Sequence, residues 1–387
     1  MLTTDFFQID ALLTPEQRLI TQVVKEFSDH EIKPVIEEYA QKAEFPQQFI
    51  RKFGALGVFG PTIPKQYGGG GMDYISYGLM CQEIERGDSS MRSTVSVQSS
   101  LVMWPIFQFG SEEQKQKYLP GLASGEILGC FGLTEPDHGS DPGGLKTYIV
   151  KRQGGYTLNG SKMWISNAPF ADIAIVWARN EDGRVQGVIV ERGMEGFSTP
   201  TIHGKWSLRA SATGELLFDN VLIPKENILP DAIGLKAALE CLDHARYGVA
   251  WGAIGVALDC YETALRYSGE RFQFNKPISS FQLVQKKLAE MLTEITKAQL
   301  LSWRLGTLMN ESHARTTQIS MAKRSNVEMA LQVARESRQI LGAMGITDAF
   351  PIMRHMMNLE SVVTYEGTHD IHLLILGAEI TGNPAFK

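Results

Sequence analysis

The sequence predicts an α+β protein whose helices and strands are segregated along the chain: a helical block at 1–128, an antiparallel β block at 129–235 and a four-helix bundle at 236–387. Three observations predict it. Helix start signals recur in the first third, where Thr14-Pro15-Glu16-Gln17 and Ser111-Glu112-Glu113-Gln114 each set a Gln three residues after a capping hydroxyl. From Gly154 to Pro224 the apolar runs become short, β-branched and aromatic, broken by turn residues. Past Leu235 a helical period returns, with Leu288, Met291, Leu292 and Ile295 on one face.

In the first block, Tyr67 to Gly71 is a glycine-rich break. No Gly-Lys-Ser/Thr follows it, so it reads as a flexible turn and not a phosphate loop. In the β block, Tyr156-Thr157-Leu158, Ile173 to Trp177, Val188-Ile189-Val190 and Leu216-Leu217-Phe218 read as strands. Asn159-Gly160 and Asp182-Gly183 read as hairpin turns. No helix alternates with these strands, which argues against a doubly wound sheet. In the last block, helices are expected at about 236–268, 281–310 and 316–342, with a fourth after Thr368.

The 387 residues allow roughly two or three domains. Hydrophobic residues at 43% and charged ones at 21% exclude a disordered or fibrous chain. A net charge of -6 argues against a nucleic-acid partner, though not against one basic pocket for a phosphorylated small molecule. Cys81, Cys130, Cys241 and Cys260 form no C-x-x-C pair, so buried thiols in a reducing compartment are expected. Met1 to Asp10 shows no signal or transit pattern. A bacterial-type cytoplasm is the expected location, with the mitochondrial matrix the alternative for a processed chain. No apolar run approaches membrane-spanning length, so no membrane insertion is expected. His369 and His372 lack a clear third ligand and read as helix-surface or hydrogen-bonding residues, with no metal site expected. G-x-S-x-G, Walker and H-E-x-x-H motifs are absent.

Five motifs go further. They are Phe131-Gly132-Leu133-Thr134-Glu135-Pro136 with Gly139-Ser140-Asp141; Trp164-Ile165-Ser166-Asn167; Arg271-Phe272-Gln273-Phe274 with Gln282; Gln339-Ile340-Leu341-Gly342-Ala343-Met344-Gly345; and Tyr365-Glu366-Gly367-Thr368. In this order and spacing they resemble the acyl-CoA dehydrogenase family of flavoproteins over nearly the whole chain. Met91-Arg92-Ser93, Lys205 to Gly214 and Tyr365 to His372 resemble the glutaryl-CoA dehydrogenase subfamily most. Ala343 departs from the second Gly common in the family.

The resemblance implies an acyl-CoA dehydrogenase-like three-domain fold, an FAD cofactor, and Glu366 as the base that takes the α-proton while a β-hydride goes to flavin N5. The Glu366 N–H would help hold the thioester oxygen, with Gly367 beside the substrate. Phe131, Leu133, Thr134, Gly139 and Ser140 would hold the flavin ring, Ser140 also nearing the CoA chain. Trp164, Ile165 and Ser166 would back the ring. Arg271, Phe274, Gln282, Gln339, Gly342, Thr368 and Asp370 would meet the rest of FAD, some of them across a subunit boundary, which implies an oligomer, usually a homotetramer. Phe386 would close over the flavin. Arg246 and Asp243 would lie along CoA.

Arg92, assisted by Ser93, would bind the far carboxylate of a dicarboxylic acyl chain through charge-assisted hydrogen bonds. A helix-surface Arg paired with Glu85 or Asp88 is the competing reading. Glu85 and Tyr365 match residues tied to decarboxylation in the subfamily. The implied activity is oxidative decarboxylation of glutaryl-CoA to crotonyl-CoA and CO2, with electrons passed to an electron-transferring flavoprotein. The alternatives are a short- or branched-chain acyl-CoA dehydrogenase, a glutaryl enzyme that stops at glutaconyl-CoA, and a non-catalytic acyl-CoA- or flavin-binding module.

Overall fold

Both capping boxes read from the sequence close in the computed structural model, which describes residues 5–385. Gln17 N donates to Thr14 Oγ1 and Thr14 N to Gln17 Oε1, starting helix α1 (Pro15–Phe27). Ser111 and Gln114 do the same for α7 (Glu112–Ala123). Between them lie α2 (Lys33–Lys42), α3 (Gln48–Leu56), α4 (Tyr74–Gly87), α5 (Ser89–Ser96) and α6 (Trp104–Phe109). Helix α4 is buried from Ile75 to Gly87 and forms the centre of this block. A π-helical stretch, Val97–Met103, joins α5 to α6. Such widened turns are frequent at functional sites, and Val97 and Leu101 from this one reach the cavity described below.

The β block holds β1 (Gly129–Gly132), β2 (Tyr148–Arg152), β3 (Gly155–Ser166), β4 (Ile173–Arg179), β5 (Val185–Glu191), β6 (Phe197–Ser198), β7 (Thr213–Pro224) and β8 (Ile228–Ile233). Strand order is β6-β7-β3-β2-β4-β5-β8, with β1 against β4. The sheet is not wholly antiparallel, as the sequence suggested. Strand β1 runs parallel to β4 from Gly129 opposite Ile173, and Tyr148 of β2 meets Arg179 of β4 in parallel. The connection between β1 and β4 carries the whole β2–β3 hairpin, long enough for a parallel crossover. Asp182-Gly183 does turn the chain, between β4 and β5. Asn159-Gly160 does not: it lies inside β3 at a register shift, where a Cβ on Gly160 would come within 2.5 Å of Thr147 Oγ1. Close backbone approach, not a turn, requires that glycine.

The C-terminal block contains α8 (Leu235–Glu270), a short ribbon of β9 (Phe272–Gln273) and β10 (Lys276–Pro277), then α9 (Gln282–Asn310), α10 (Thr316–Ile340), α11 (Ile352–Thr364) and α12 (His369–Thr381). Helix α11 is additional to the four expected helices. Its core residues Ile352, Leu359 and Val362 are fully buried against the bundle. The polar side chains between them, His355 and Asn358, are also buried, so the apolar period is interrupted. Gln98 fastens the first block to the sheet: its amide donates to Leu122 O and Ile127 O and accepts from Gly129 N. Among the described residues, no helix is long and apolar enough to cross a membrane.

Candidate active site

A cavity of about 1930 Å³ opens where the three blocks meet. Most residues assigned from the sequence share its wall: Ser93 from α5; Phe131 in β1, with Leu133 and Thr134 just after it; Gly139 and Ser140 in the following loop; Trp164, Ile165 and Ser166 at the end of β3; Asp243 and Arg246 from α8; and Tyr365 to Thr368 between α11 and α12.

Glu366 sits in that last turn with φ +54°, followed by Gly367 at +93°. A left-handed glutamate is uncommon and persists only where its surroundings hold it. Three contacts do so. Arg246 Nε donates to the Glu366 carbonyl at 2.7 Å, and Lys323 Nζ donates to the carbonyls of Tyr365 (3.0 Å) and Gly367 (2.9 Å). The Glu366 carboxylate is different: its Oε2 is buried without a hydrogen-bond partner. Burial raises its pKa above the ordinary value, against the charges of Arg92, Lys323 and Arg246 and with that of Glu85. A half-desolvated carboxylate on a cavity wall is suited to taking a weakly acidic proton. His372 lies under the same turn, fully buried and pushed down to about 3 by burial and by Lys323 and Arg246, so it stays neutral.

The segment after β1 is shaped by a buried ion pair. Lys162 Nζ, with its side chain wholly buried, donates to Leu133 O (3.0 Å) and Glu135 Oε1 (2.9 Å). Glu135 also accepts from Lys146 N and Thr147 N. A charge so satisfied fixes Leu133 and Thr134 against β3, where Met163 N donates to Thr134 O. One residue further, Trp164 has φ +64° at a register shift between Lys162 and Ile165. Such a bulge re-aims a side chain, and this indole stands 57% exposed towards the cavity. A large aromatic kept open at a backbone cost of about 1–3 kcal/mol fits a planar ring system as its occupant. Tyr74, Trp104 and His244 also line the cavity and pack together, the Trp104 and His244 rings 4.1 Å apart. Burial pushes His244 down to about 4.

Arg92 and Glu85 are fully buried and form an ion pair at 2.5 Å. Arg92 also donates to Ser96 Oγ (2.9 Å) and to the Tyr365 hydroxyl, and its guanidinium lies 5.7 Å from the Tyr365 ring centroid. The pairing with Glu85 that was weighed as a surface contact therefore exists, but in the interior. Neither residue is on the cavity wall, which is lined instead by Ser93, next in sequence to Arg92, and by Tyr365, whose hydroxyl Arg92 binds. Three of the five guanidinium donors are engaged, leaving two. Arg246 likewise pairs with Asp243 at 2.9 Å, and it is buried, not a surface helix pair.

Arg271, Phe274, Gln282, Gln339, Gly342 and Asp370 are not brought to this cavity; all are exposed, Phe274 at 88%. Phe386 lies outside the described residues. Sequence reasoning missed Lys323, Lys162 and Glu135, and of these only Glu135 lay inside a quoted motif. His372 was expected as a helix-surface or hydrogen-bonding residue; it is instead fully buried, with neither ring nitrogen hydrogen-bonded. The signal available for Lys323 was a lone cation on the mainly apolar face of a helix that also carries Asn326.

Family models for acyl-CoA dehydrogenases match residues 14–126 (N-terminal domain), 130–221 (middle domain) and 233–381 (C-terminal domain). The chain belongs to the acyl-CoA dehydrogenase family. It is similar to a solved glutaryl-CoA dehydrogenase from Mycobacterium smegmatis in complex with FADH2, with 46% identity, TM-score 0.97 and 99% of each chain covered. An acyl-CoA dehydrogenase of Bacillus subtilis is 38% identical over 96% of this chain and 99% of its own. The human mitochondrial short-chain specific acyl-CoA dehydrogenase is 33% identical over 95% and 90%.

Proposed function

We propose that this acyl-CoA dehydrogenase binds FAD, oxidises glutaryl-CoA and carries the product through to crotonyl-CoA and CO2. The observation that carries the reading is the turn at Tyr365-Glu366. It presents a buried carboxylate oxygen without a partner to the cavity and, one residue earlier, a hydroxyl bonded to the buried Arg92–Glu85 pair. The similarity to a glutaryl-CoA dehydrogenase over 99% of both chains supports it.

FAD, when bound, supplies the acceptor for the hydride that leaves the β-carbon. Phe131, Leu133, Thr134, Trp164, Ile165 and Ser166 would hold its ring, and their placement on one wall fits a planar aromatic group. Arg246 and Asp243 would lie along the CoA chain. Glu366 takes the α-proton, and its backbone N–H is the chain's donor to the thioester oxygen. Arg92 uses its remaining donors for the distal carboxylate, oriented by Ser93 and Tyr365. Breaking the bond to that carboxylate releases CO2 and leaves the electron pair delocalised onto the thioester oxygen. Protonated Glu366 then returns a proton to carbon, giving crotonyl-CoA. An electron-transferring flavoprotein is the proposed electron acceptor. The exposed Arg271, Phe274, Gln282, Gln339 and Gly342 would serve the FAD of a neighbouring subunit, in a homotetramer.

The position of Arg92 behind the wall favours one second reading: a short-chain dehydrogenase in which the Arg92–Glu85 pair is only structural, in line with the short-chain relative. Glu366→Gln tests what the two readings share. The purified variant should stay yellow, while the bleaching of its flavin absorbance on mixing with acyl-CoA is lost. Bleaching at the wild-type rate would remove Glu366 as the base.

A further inference from the structure

We propose that Lys323 is a positioning residue for the base, its ammonium clamping the Tyr365 and Gly367 carbonyls so that Glu366 is held in its left-handed conformation facing the cavity. The inference rests on the reading of Glu366 as the base. It adds a residue of α10 that lies 42 and 44 positions before the two turn residues whose carbonyls it binds.

Helix α10 buries one stripe: Ile319, Ala322, Lys323, Asn326, Val327 and Ala330. All but Lys323 and Asn326 are apolar, and Lys323 is 1% exposed. An ammonium placed in such a stripe costs several kcal/mol unless its donors are used. Both acceptors that it uses belong to the turn between α11 and α12, and they flank the same residue. Together with the Arg246 bond to the Glu366 carbonyl, three consecutive carbonyls of the turn are fixed from α8 and α10. The side chain of Glu366 is thereby left as the one free member of the turn, with its Oε2 unpartnered. The clamp fixes the backbone and spends no hydrogen bond on the carboxylate, which suits a group that must exchange protons.

The groups facing Glu366 are Arg92 from α5, Glu85 and Cys81 from α4, Arg246 from α8, Lys323 from α10, Tyr365 beside it and His372 from α12. Lys323 is one of the cations that lower the pKa of Glu366, while burial lowers its own. Removing the charge of Lys323 should therefore raise the pKa of Glu366. The acid limb of kcat/KM against pH should move upward, a change that a merely structural lysine would not produce.

The experiment compares wild type, Lys323→Met, Lys323→Gln and Glu366→Gln as flavin-loaded proteins with the better of glutaryl-CoA and butyryl-CoA. In Lys323→Met, kcat should fall about 100-fold with KM changed less than about threefold, the size of loss expected from misplacing a catalytic group by about 1 Å. Its acid limb should rise by about one pH unit, and amide exchange at residues 365–367 should quicken. Lys323→Gln, which keeps donors but no charge, should recover part of kcat while its acid limb stays shifted. If Lys323→Met does not fold, Lys323→Gln is read on the same profile. A folded Lys323→Met with an unmoved acid limb overturns the proposal, whether its kcat is unchanged or falls only in step with lost flavin and melting temperature. Activity surviving in Glu366→Gln would instead remove the base itself.

Discussion

A Cβ on Gly252 would stand 1.8 Å from Glu85 Oε2 and 3.1 Å from Arg92 Nε. This glycine of α8 leaves the space in which the buried Glu85–Arg92 pair is held against α4 and α5. An alanine in mid-helix ordinarily stabilises by about 1 kcal/mol relative to glycine. Here it would collide with a carboxylate. Gly252→Ala should lower the melting temperature, and it should cut turnover of glutaryl-CoA at least about tenfold more than that of butyryl-CoA. Steady-state kinetics on both substrates check this. Equal losses would mean that the pair does not reach the substrate.

The pair itself should behave as a buried ion pair. Removing either charge leaves the other uncompensated, at a cost of about 3–5 kcal/mol. Arg92→Met and Glu85→Leu should each destabilise by that order, and the double variant by much less than the sum. Urea unfolding of the four proteins gives the cycle. Additive losses would show that the two side chains do not depend on each other. The Arg92 variants should also lose glutaryl-CoA turnover far more than butyryl-CoA turnover.

Glu135 gives a pH dependence. Burial pushes its pKa up, but the bonds from Lys162, Thr147 and Lys146 win and hold it down at about 2, against an ordinary 4.5. A carboxylate lowered on folding stabilises above its unfolded pKa, and that contribution is lost as pH falls through the folded value. The stability difference between wild type and Glu135→Gln should therefore shrink from about pH 5 towards about pH 2.5. Denaturant unfolding across that range measures it. A difference that stays constant would exclude ionised Glu135 as the source.

Much of the site was legible because its signals are local. The capping boxes are contacts three residues apart, so Thr14-Gln17 and Ser111-Gln114 announce their helices unaided. The segments 131–140, 164–166 and 365–368 are contiguous motifs, and they meet at one cavity. What the sequence hid depends on packing between distant segments. Lys323 reaches a turn 42 and 44 residues away, and Lys162 binds a carbonyl 29 residues back. Asn159-Gly160 carries a hairpin composition, yet the glycine answers the close approach of Thr147. The buried partners of Arg92 were equally invisible. The resemblance put Arg92 at the far end of the pocket, with a surface pairing to Glu85 or Asp88 as the competing reading; in the structure Asp88 caps α5 and pairs with Arg354, leaving Glu85 for Arg92 in the interior.

Product identification decides whether the enzyme decarboxylates glutaryl-CoA. The yellow protein is incubated with glutaryl-CoA and an artificial electron acceptor, and the CoA esters are separated by mass while released CO2 is trapped. The expected result is crotonyl-CoA with an equivalent of CO2. Turnover of butyryl-CoA with no product from glutaryl-CoA would exclude glutaryl-CoA as the substrate and leave Arg92 as a structural ion-pair partner only.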